Sequence, residues 1–212
     1  MPDIRLQLAL DGTLDAARSV LAATHPYIDV IEIGTPLIFR EGVAAVRWAR
    51  ETYPDKGILA DLKIMDAGEE EASIAFEAGA MWVTVLGAAA DATVNGVVHA
   101  ARRCGGQVMA DLVQVADPLT RGRALLALGC DVLCVHTAYD MQGLGHTPLA
   151  ALRALREHLP GAQLAAAGGI TPHTLTDILS VRPAIVVVGG AVTRAHDPAQ
   201  AARALRERME AG

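Results

Sequence analysis

An aspartate and a lysine two places apart close the apolar run Ile58-Leu59-Ala60-Asp61-Leu62-Lys63-Ile64-Met65-Asp66, and a second aspartate follows three residues later. In a strand, alternate side chains share a face, so Asp61 and Lys63 are expected to point the same way, with Asp66 just past the strand end. An ammonium flanked by two carboxylates is costly to desolvate unless it has work to do. Such a cluster suits chemistry that holds a cation, moves a proton or stabilises an enolate-like charge. Lysine is otherwise scarce: the chain has two, Lys56 and Lys63, against sixteen arginines. Generic positive charge comes from arginine. Lys56 sits in the turn Pro54-Asp55-Lys56-Gly57, whereas Lys63 sits among acids at a strand end, which marks it for a specific role.

Short β-branched apolar runs alternate with Ala/Leu/Arg/Glu-rich amphipathic runs along the whole chain. The pattern predicts strands at Ile4–Leu10, Ile28–Ile33, Gly57–Leu62, Met81–Leu86, Gln107–Asp111, Val132–Val135, Gln163–Ala166 and Ala184–Val188. It predicts helices at Leu14–Ala23, Gly42–Thr52, Gly68–Glu77, Ala92–Arg103, Pro118–Leu128, Pro148–His158, Pro172–Leu179 and Pro198–Met209, several of them opening on proline. Eight βα units of roughly 25 residues each point to an α/β fold, a single-domain (β/α)8 TIM barrel spanning residues 1–212. A doubly wound open sheet competes, but its glycine fingerprint is missing: the first strand ends Leu10-Asp11-Gly12, and Gly143-Leu144-Gly145 lies in a loop after strand six.

A barrel gathers its chemistry at the C-terminal ends of its strands. There the chain places Asp11, Glu32, Asp61 with Lys63, Thr84, Asp111 and His136 on successive strands, and strands seven and eight end in Gly168-Gly169 and Gly189-Gly190. A ring of acids, a lysine and a histidine is hard to explain as packing. The glycine pairs let a ligand approach backbone N–H groups, and the seventh and eighth loops of such barrels often hold a phosphate, with Arg194 able to add a bidentate contact. Tight turns needing positive φ would also explain them. Other residues have structural readings beside the functional ones. Asp66 in Asp66-Ala67-Gly68-Glu69 resembles a capping box, Asp11 could cap the first helix, Asp117 is expected to cap the helix at Pro118, and His136 could be a satisfied core histidine. The remaining histidines, among them His25 and His146, are expected in solvent.

Glu32 and Asp61 are hard oxygen ligands on neighbouring strands, which suits Mg²⁺ completed by water and substrate oxygens. No three-histidine cluster supports a zinc aldolase. Lys63 could form a Schiff base, but carboxylate neighbours favour its charged ammonium.

The formal charge of −6 and the 3% aromatic content argue against a nucleic-acid or membrane-surface binder. No apolar run reaches the length of a membrane span, and Met1-Pro2-Asp3-Ile4-Arg5 does not open like a signal peptide, so a cytoplasmic protein is expected. Cys104, Cys130 and Cys134 show no metal-ligand spacing; Cys134, inside Val132-Leu133-Cys134-Val135, is expected in the core.

The D-x-K-x-x-D spacing of Asp61, Lys63 and Asp66 matches the orotidine 5′-monophosphate decarboxylase suprafamily. Leu6–Asp11, Ile31–Ile38, Leu59–Glu69, Val83–Gly87, Ala165–Ile170 and Val187–Ala191 together resemble the 3-hexulose-6-phosphate synthases, and Ala89-Asp91-Ala92-Thr93 and Asp197-Pro198-Ala199 extend the likeness. The sister family is 3-keto-L-gulonate-6-phosphate decarboxylase, which uses the same Mg²⁺ site. The decarboxylase pattern carries arginine where this chain has Tyr139, and tends to carry glutamate where it has Asp111; both departures favour the synthase. The resemblance implies an Mg²⁺-dependent, reversible aldol condensation of formaldehyde with D-ribulose 5-phosphate through an enediolate. Glu32 and Asp61 would hold the metal, Lys63 would add positive charge, and His136 would serve as acid/base. Asp66 would reach across a homodimer into the partner's site. A non-catalytic barrel that senses a sugar phosphate is the contrasting reading.

Overall fold

The computed structural model describes residues 4–211, so Met1, Pro2 and Asp3 of the segment read for a leader lie outside it. Eight parallel strands close into a barrel in sequential order. They are β1 Arg5–Leu10, β2 Val30–Ile33, β3 Gly57–Ile64, β4 Trp82–Leu86, β5 Gln107–Asp111, β6 Val132–His136, β7 Leu164–Ala167 and β8 Ile185–Val188, with β8 pairing back onto β1. The expected (β/α)8 barrel is present, and each expected strand is found within a few residues of its bounds.

Residues on alternate positions separate into two cores. Outward-facing Leu6, Leu8, Ile31, Ile33, Ile58 and Ala60 pack beneath the helices. Inward-facing Val30, Leu59, Trp82, Met109, Val132, Cys134, Ala165 and Ile185 fill the barrel itself. Trp82 fits inside because its neighbour on β3 is Gly57, where any Cβ would overlap the indole, and the Arg5 guanidinium caps the ring at 5.3 Å from its centroid. The same two-residue period carries the inner face upward from apolar to polar. Val30 leads to Glu32, Leu59 to Asp61, Trp82 to Thr84, Met109 to Asp111 and Cys134 to His136. The packed floor and the polar ring are therefore one face of the same strands.

The helices are α1 Leu14–Thr24, α2 Thr35–Glu41, α3 Ala44–Thr52, α4 Gly68–Glu77, α5 Asp91–Cys104 and α6 Pro118–Ala127. They continue as α7 Tyr139–Gln142, α8 Leu149–His158, α9 Pro172–Ser180, α10 Gly190–Thr193 and α11 Pro198–Ala211. The helix expected at Gly42–Thr52 is α3, Ala44–Thr52, and it is preceded by a helix that was not expected, α2, with Gly42 between the two at a positive φ of 62°. Pro36 in the first turn and Gly34 at the cap gave α2 the look of a loop. Short α7 and α10 were also unexpected; both sit directly after strands at the barrel mouth.

Caps decide which acids are free. Thr13, not Asp11, caps α1 by accepting from Ala16 N–H, so Asp11 is released from that task. Asp117 caps α6 as expected, accepting from Thr120 N–H at 3.0 Å. The capping box read at Asp66 does not form: Ala67 is the cap residue, in a left-handed conformation, and Asp66 accepts only from Ala67 N–H. His25 also departs from expectation. It lies in a single 3₁₀ turn, packs edge-on to Tyr53 at 5.4 Å, and buries both ring nitrogens without a partner. Cys134 is buried, as expected. No helix among the described residues is long and apolar enough to cross a membrane.

Candidate active site

Four strands bring a connected set of side chains to the barrel mouth. Lys63 Nζ donates to Asp61 Oδ2 at 2.8 Å and to Asp111 Oδ2 at 3.0 Å. Asp111 Oδ2 also meets His136 Nδ1 at 2.9 Å, and its Oδ1 accepts from Val113 N–H at 2.8 Å. The carboxylates that flank Lys63 are thus Asp61 and Asp111, from β3 and β5. Asp66, expected as the second, is exposed on the loop before α4.

Simple strand alternation does not explain how Lys63 arrives there. The pairing of β3 with β4 slips between Ala60 and Ile64, and Lys63 itself has a φ of 49°. A left-handed lysine costs about 1–3 kcal/mol, a strain that persists where surrounding contacts over-determine it. Here Lys63 N–H donates to Thr84 Oγ1 at 2.9 Å, while Nζ is held by two carboxylates. The bulge turns the lysine back toward the ring, as bulges beside active sites do.

Asp61 is buried and fully engaged. Thr84 Oγ1 donates to its Oδ1 at 2.7 Å, and Thr35 Oγ1 lies 2.8 Å from its Oδ2 and 2.7 Å from its backbone oxygen. Thr84 therefore spends its hydroxyl proton on orienting Asp61. Glu32 is buried as well; Gln7 Nε2 donates to its Oε2 at 2.6 Å, and Gln7 Oε1 is buried without a partner. Thr35, Gln7 and Gly34 were not singled out from the sequence. Gln7 had a signal, a polar residue inside Leu6-Gln7-Leu8. Thr35 lay unweighed within Gly34-Thr35-Pro36. Gly34 is needed because a Cβ there would overlap the Asp11 carboxylate, which also lies against Gly189.

The charges settle the protonation states. Burial by itself lowers the Lys63 ammonium, but Asp61 and Asp111 outweigh it and hold Lys63 above its ordinary value. It is a fixed cation, poorly suited to act as a free amine nucleophile. Burial raises the Asp111 carboxyl, but the His136 hydrogen bond, the His136 and Lys63 charges and Val113 N–H together bring it below its ordinary value. An ionised Asp111 can only accept, so His136 Nδ1 is the donor of that hydrogen bond and Nε2 is the ring nitrogen left facing away from it. Burial, and then the Asp61 charge, push Glu32 up to about 8. The same two causes, in the same order, raise Asp11 at the rim.

The glycine pairs are glycine for different reasons. Gly168 and Gly169 have φ of 88° and 70°, and a Cβ on Gly168 would overlap the Thr137 carbonyl, so the turn itself demands them. Neither Gly189 nor Gly190 has a positive φ; a Cβ on Gly190 would overlap the Arg194 guanidinium. The seventh and eighth loops therefore expose bare backbone beside the ring, with Arg194 folded over it.

Two buried carboxylates from adjacent strands suit a divalent cation. Among the described residues no third His, Cys, Asp or Glu joins them to complete a protein cage. That donor set fits Mg²⁺, which keeps water and substrate oxygens as its other ligands. Glu32 Oε1 is unengaged, and Lys63 would have to release one Asp61 oxygen.

The chain is thus a (β/α)8 barrel whose mouth gathers a fixed ammonium, a carboxylate-backed imidazole and two buried acids beside glycine loops, where barrel enzymes carry their chemistry. The chain belongs to the orotidine 5′-phosphate decarboxylase / HUMPS family, whose pattern matches residues 4–205. It is 40% identical over 210 residues to 3-hexulose-6-phosphate synthase of Bacillus subtilis, covering 99% of this chain and 100% of that one. The structure superposes on 3-hexulose-6-phosphate synthase from Salmonella typhimurium with a TM-score of 0.96 at 41% identity, covering 98% and 99% of the two chains. On 3-keto-L-gulonate-6-phosphate decarboxylase from Vibrio cholerae the TM-score is 0.87 at 31% identity, covering 99% and 98%.

Proposed function

We propose that this enzyme condenses formaldehyde with D-ribulose 5-phosphate to give D-arabino-hex-3-ulose 6-phosphate, reversibly. The observation that carries the reading is the connected chain Asp61–Lys63–Asp111–His136, which puts a permanent cation beside a base with a free nitrogen. His136 Nε2 takes the proton from C1 of the ketose, and the electron pair moves into an enediolate. Lys63 stabilises the negative charge that develops on the substrate oxygens. The C1=C2 electron pair then forms a bond from C1 to the formaldehyde carbon as C2 returns to a ketone, and the formaldehyde oxygen, its carbonyl π bond opened, takes the proton back from His136 Nε2 as a hydroxyl. Glu32 and Asp61 would hold Mg²⁺, which supplies further stabilisation of that oxygen charge. Asp111 keeps the imidazole in the right tautomer, and Thr35 and Thr84 orient Asp61. The Gly168-Gly169 and Gly189-Gly190 loops and Arg194 take the phosphate.

Synthase is favoured over the sister decarboxylase by higher identity to relatives of that name, and by Asp111 and Tyr139 standing where the decarboxylase pattern has Glu and Arg. A side-by-side assay tests this. Formaldehyde-dependent consumption of ribulose 5-phosphate should far exceed release of CO₂ from 3-keto-L-gulonate 6-phosphate. The reverse ratio would move the chain to the sister activity, and neither activity would leave a sugar-phosphate sensor.

The site is further proposed to be completed across a homodimer, with Asp66 serving the partner. Asp66 is exposed and outside its own chain's ring, as such a role requires. Hybrids of Asp66→Ala and Lys63→Ala chains should then recover up to half of wild-type activity, since one of the two sites in each hybrid holds both residues. No recovery in hybrids of verified composition returns Asp66 to a local role at the start of α4.

A further inference from the structure

The loops after β6 and β8 meet through one pair of side chains. Arg194 Nη1 donates to the phenolic oxygen of Tyr139 at 3.1 Å, and the guanidinium carbon lies 5.8 Å from the centre of the Tyr139 ring. Behind the guanidinium is Gly190, where a Cβ would overlap its Nη2, Cζ and Nε atoms. Arg194 thus lies between a tyrosine and bare backbone. Neither neighbour is required by the backbone or by the core. Gly190 has no positive φ to demand glycine. Tyr139 is 68% exposed, so it fills no core, and Arg194 is its only hydrogen-bond partner among the described side chains.

An exposed arginine samples many rotamers, and fixing it on an anion costs binding energy. A guanidinium already held by a hydroxyl, a ring and a flat backbone loses less when the anion arrives. The hydroxyl uses one of five N–H donors, which leaves the others for a phosphate. The placement matters too: Tyr139 opens α7 immediately after the strand that carries His136, whereas Arg194 follows α10 at the end of the second glycine loop.

We propose that Tyr139 is a positioning residue that holds Arg194 over Gly190 to receive the substrate's phosphate, so that the loop after the catalytic histidine and the loop after β8 form one clamp. This rests on the reading that the glycine loops take a phosphate. It assigns Tyr139 to binding, not to the reacting carbons, and gives Gly190 a purpose other than backbone freedom.

The test is a double-mutant cycle, read both as the Kd of D-ribulose 5-phosphate by titration calorimetry and as KM and kcat with formaldehyde. Arg194→Ala should raise Kd and KM roughly 30-fold, the scale of a charge-assisted phosphate contact. Tyr139→Phe should raise both about threefold to tenfold, with kcat held within about twofold. In the Arg194→Ala background, Tyr139→Phe should have no further effect. Gly190→Ala should weaken binding as Arg194→Ala does, although the arginine is still present, because the new methyl displaces it. Additive effects in the cycle, or a fall in kcat at unchanged Kd, would overturn the assignment. If the wild-type protein binds ribulose 5-phosphate without turning it over, the aldol reading falls while the cycle still decides Tyr139. If it binds no sugar phosphate, both fall.

Discussion

Replacing Lys63 with alanine should lower kcat roughly 10³-fold, the scale on which one preorganised stabiliser of a developing oxyanion acts. The structure places that ammonium between Asp61 and Asp111, in contact with both. Its removal also leaves two buried carboxylates without their shared partner. Part of the damage is then to the orientation of His136, which depends on an ionised Asp111. Lys63→Arg restores charge but not shape, because a planar fork cannot replace a point charge that turns back at a bulge; it should recover little of the loss. Borohydride added with ribulose 5-phosphate should leave activity intact, since carboxylate neighbours hold the lysine protonated. A borohydride-trapped adduct on Lys63, seen by mass spectrometry, would instead establish a covalent imine and displace the electrostatic role.

Removal of divalent metal is expected to have an effect of similar size. Activity should fall at least about 10³-fold in excess chelator and return with Mg²⁺, because the oxygen charge of the proposed enediolate would then rest on Lys63 alone. Glu32→Gln should weaken Mg²⁺ binding by more than roughly 100-fold, given that residues merely behind a ligand are worth about 10- to 100-fold. The pH dependence supplies an independent reading. Burial and the Asp61 charge raise Glu32 from 4.5 to about 8, so the folded protein binds that proton more tightly than the unfolded chain. The associated stability is present below the unfolded value and is lost as pH rises through about 8. Without metal, Tm should therefore fall between about pH 5 and pH 9, and Glu32→Gln should flatten that fall. Mg²⁺ requires the ionised carboxylate, so the Tm increase it gives should grow over the same interval. Calorimetry at the two ends of the range, with chelator and with Mg²⁺, measures both. Full activity in chelator, or a Tm indifferent to Mg²⁺ at both pH values, would remove Glu32 and Asp61 as a metal cradle.

Close relatives of this chain at 38–41% identity carry the synthase name. Asp111 sits at the centre of the proposed machinery. Its carboxylate touches Lys63 and His136 at once while its other oxygen is tied to Val113 N–H, so the acid at this position sets the spacing between cation and base.

The barrel was legible in the sequence because its signal is periodic and repeated. Eight apolar runs separated by amphipathic ones leave few other ways to bury both faces of a parallel sheet. Most of the polar ring was legible for the same reason: a period of two carries Val30 to Glu32 and Met109 to Asp111 without any knowledge of neighbours. What the sequence by itself could not determine is which members of the ring touch. Asp66 is near Lys63 in the chain, and Asp111 is far from it, yet Asp111 is the partner because β5 and the bulge in β3 converge across the barrel mouth. Local spacing cannot register a slip in strand pairing, so the left-handed turn at Lys63 was invisible. The roles of Gln7, Thr35 and Thr84 in orienting Glu32 and Asp61 likewise exist only once β1, α2, β3 and β4 lie side by side. The glycine at 190 is the clearest case. The sequence reads it as bare backbone for a phosphate or as a turn needing positive φ, whereas in the fold the side chain of Arg194 fills the room beside it, because only tertiary structure decides what occupies the space that a missing Cβ leaves.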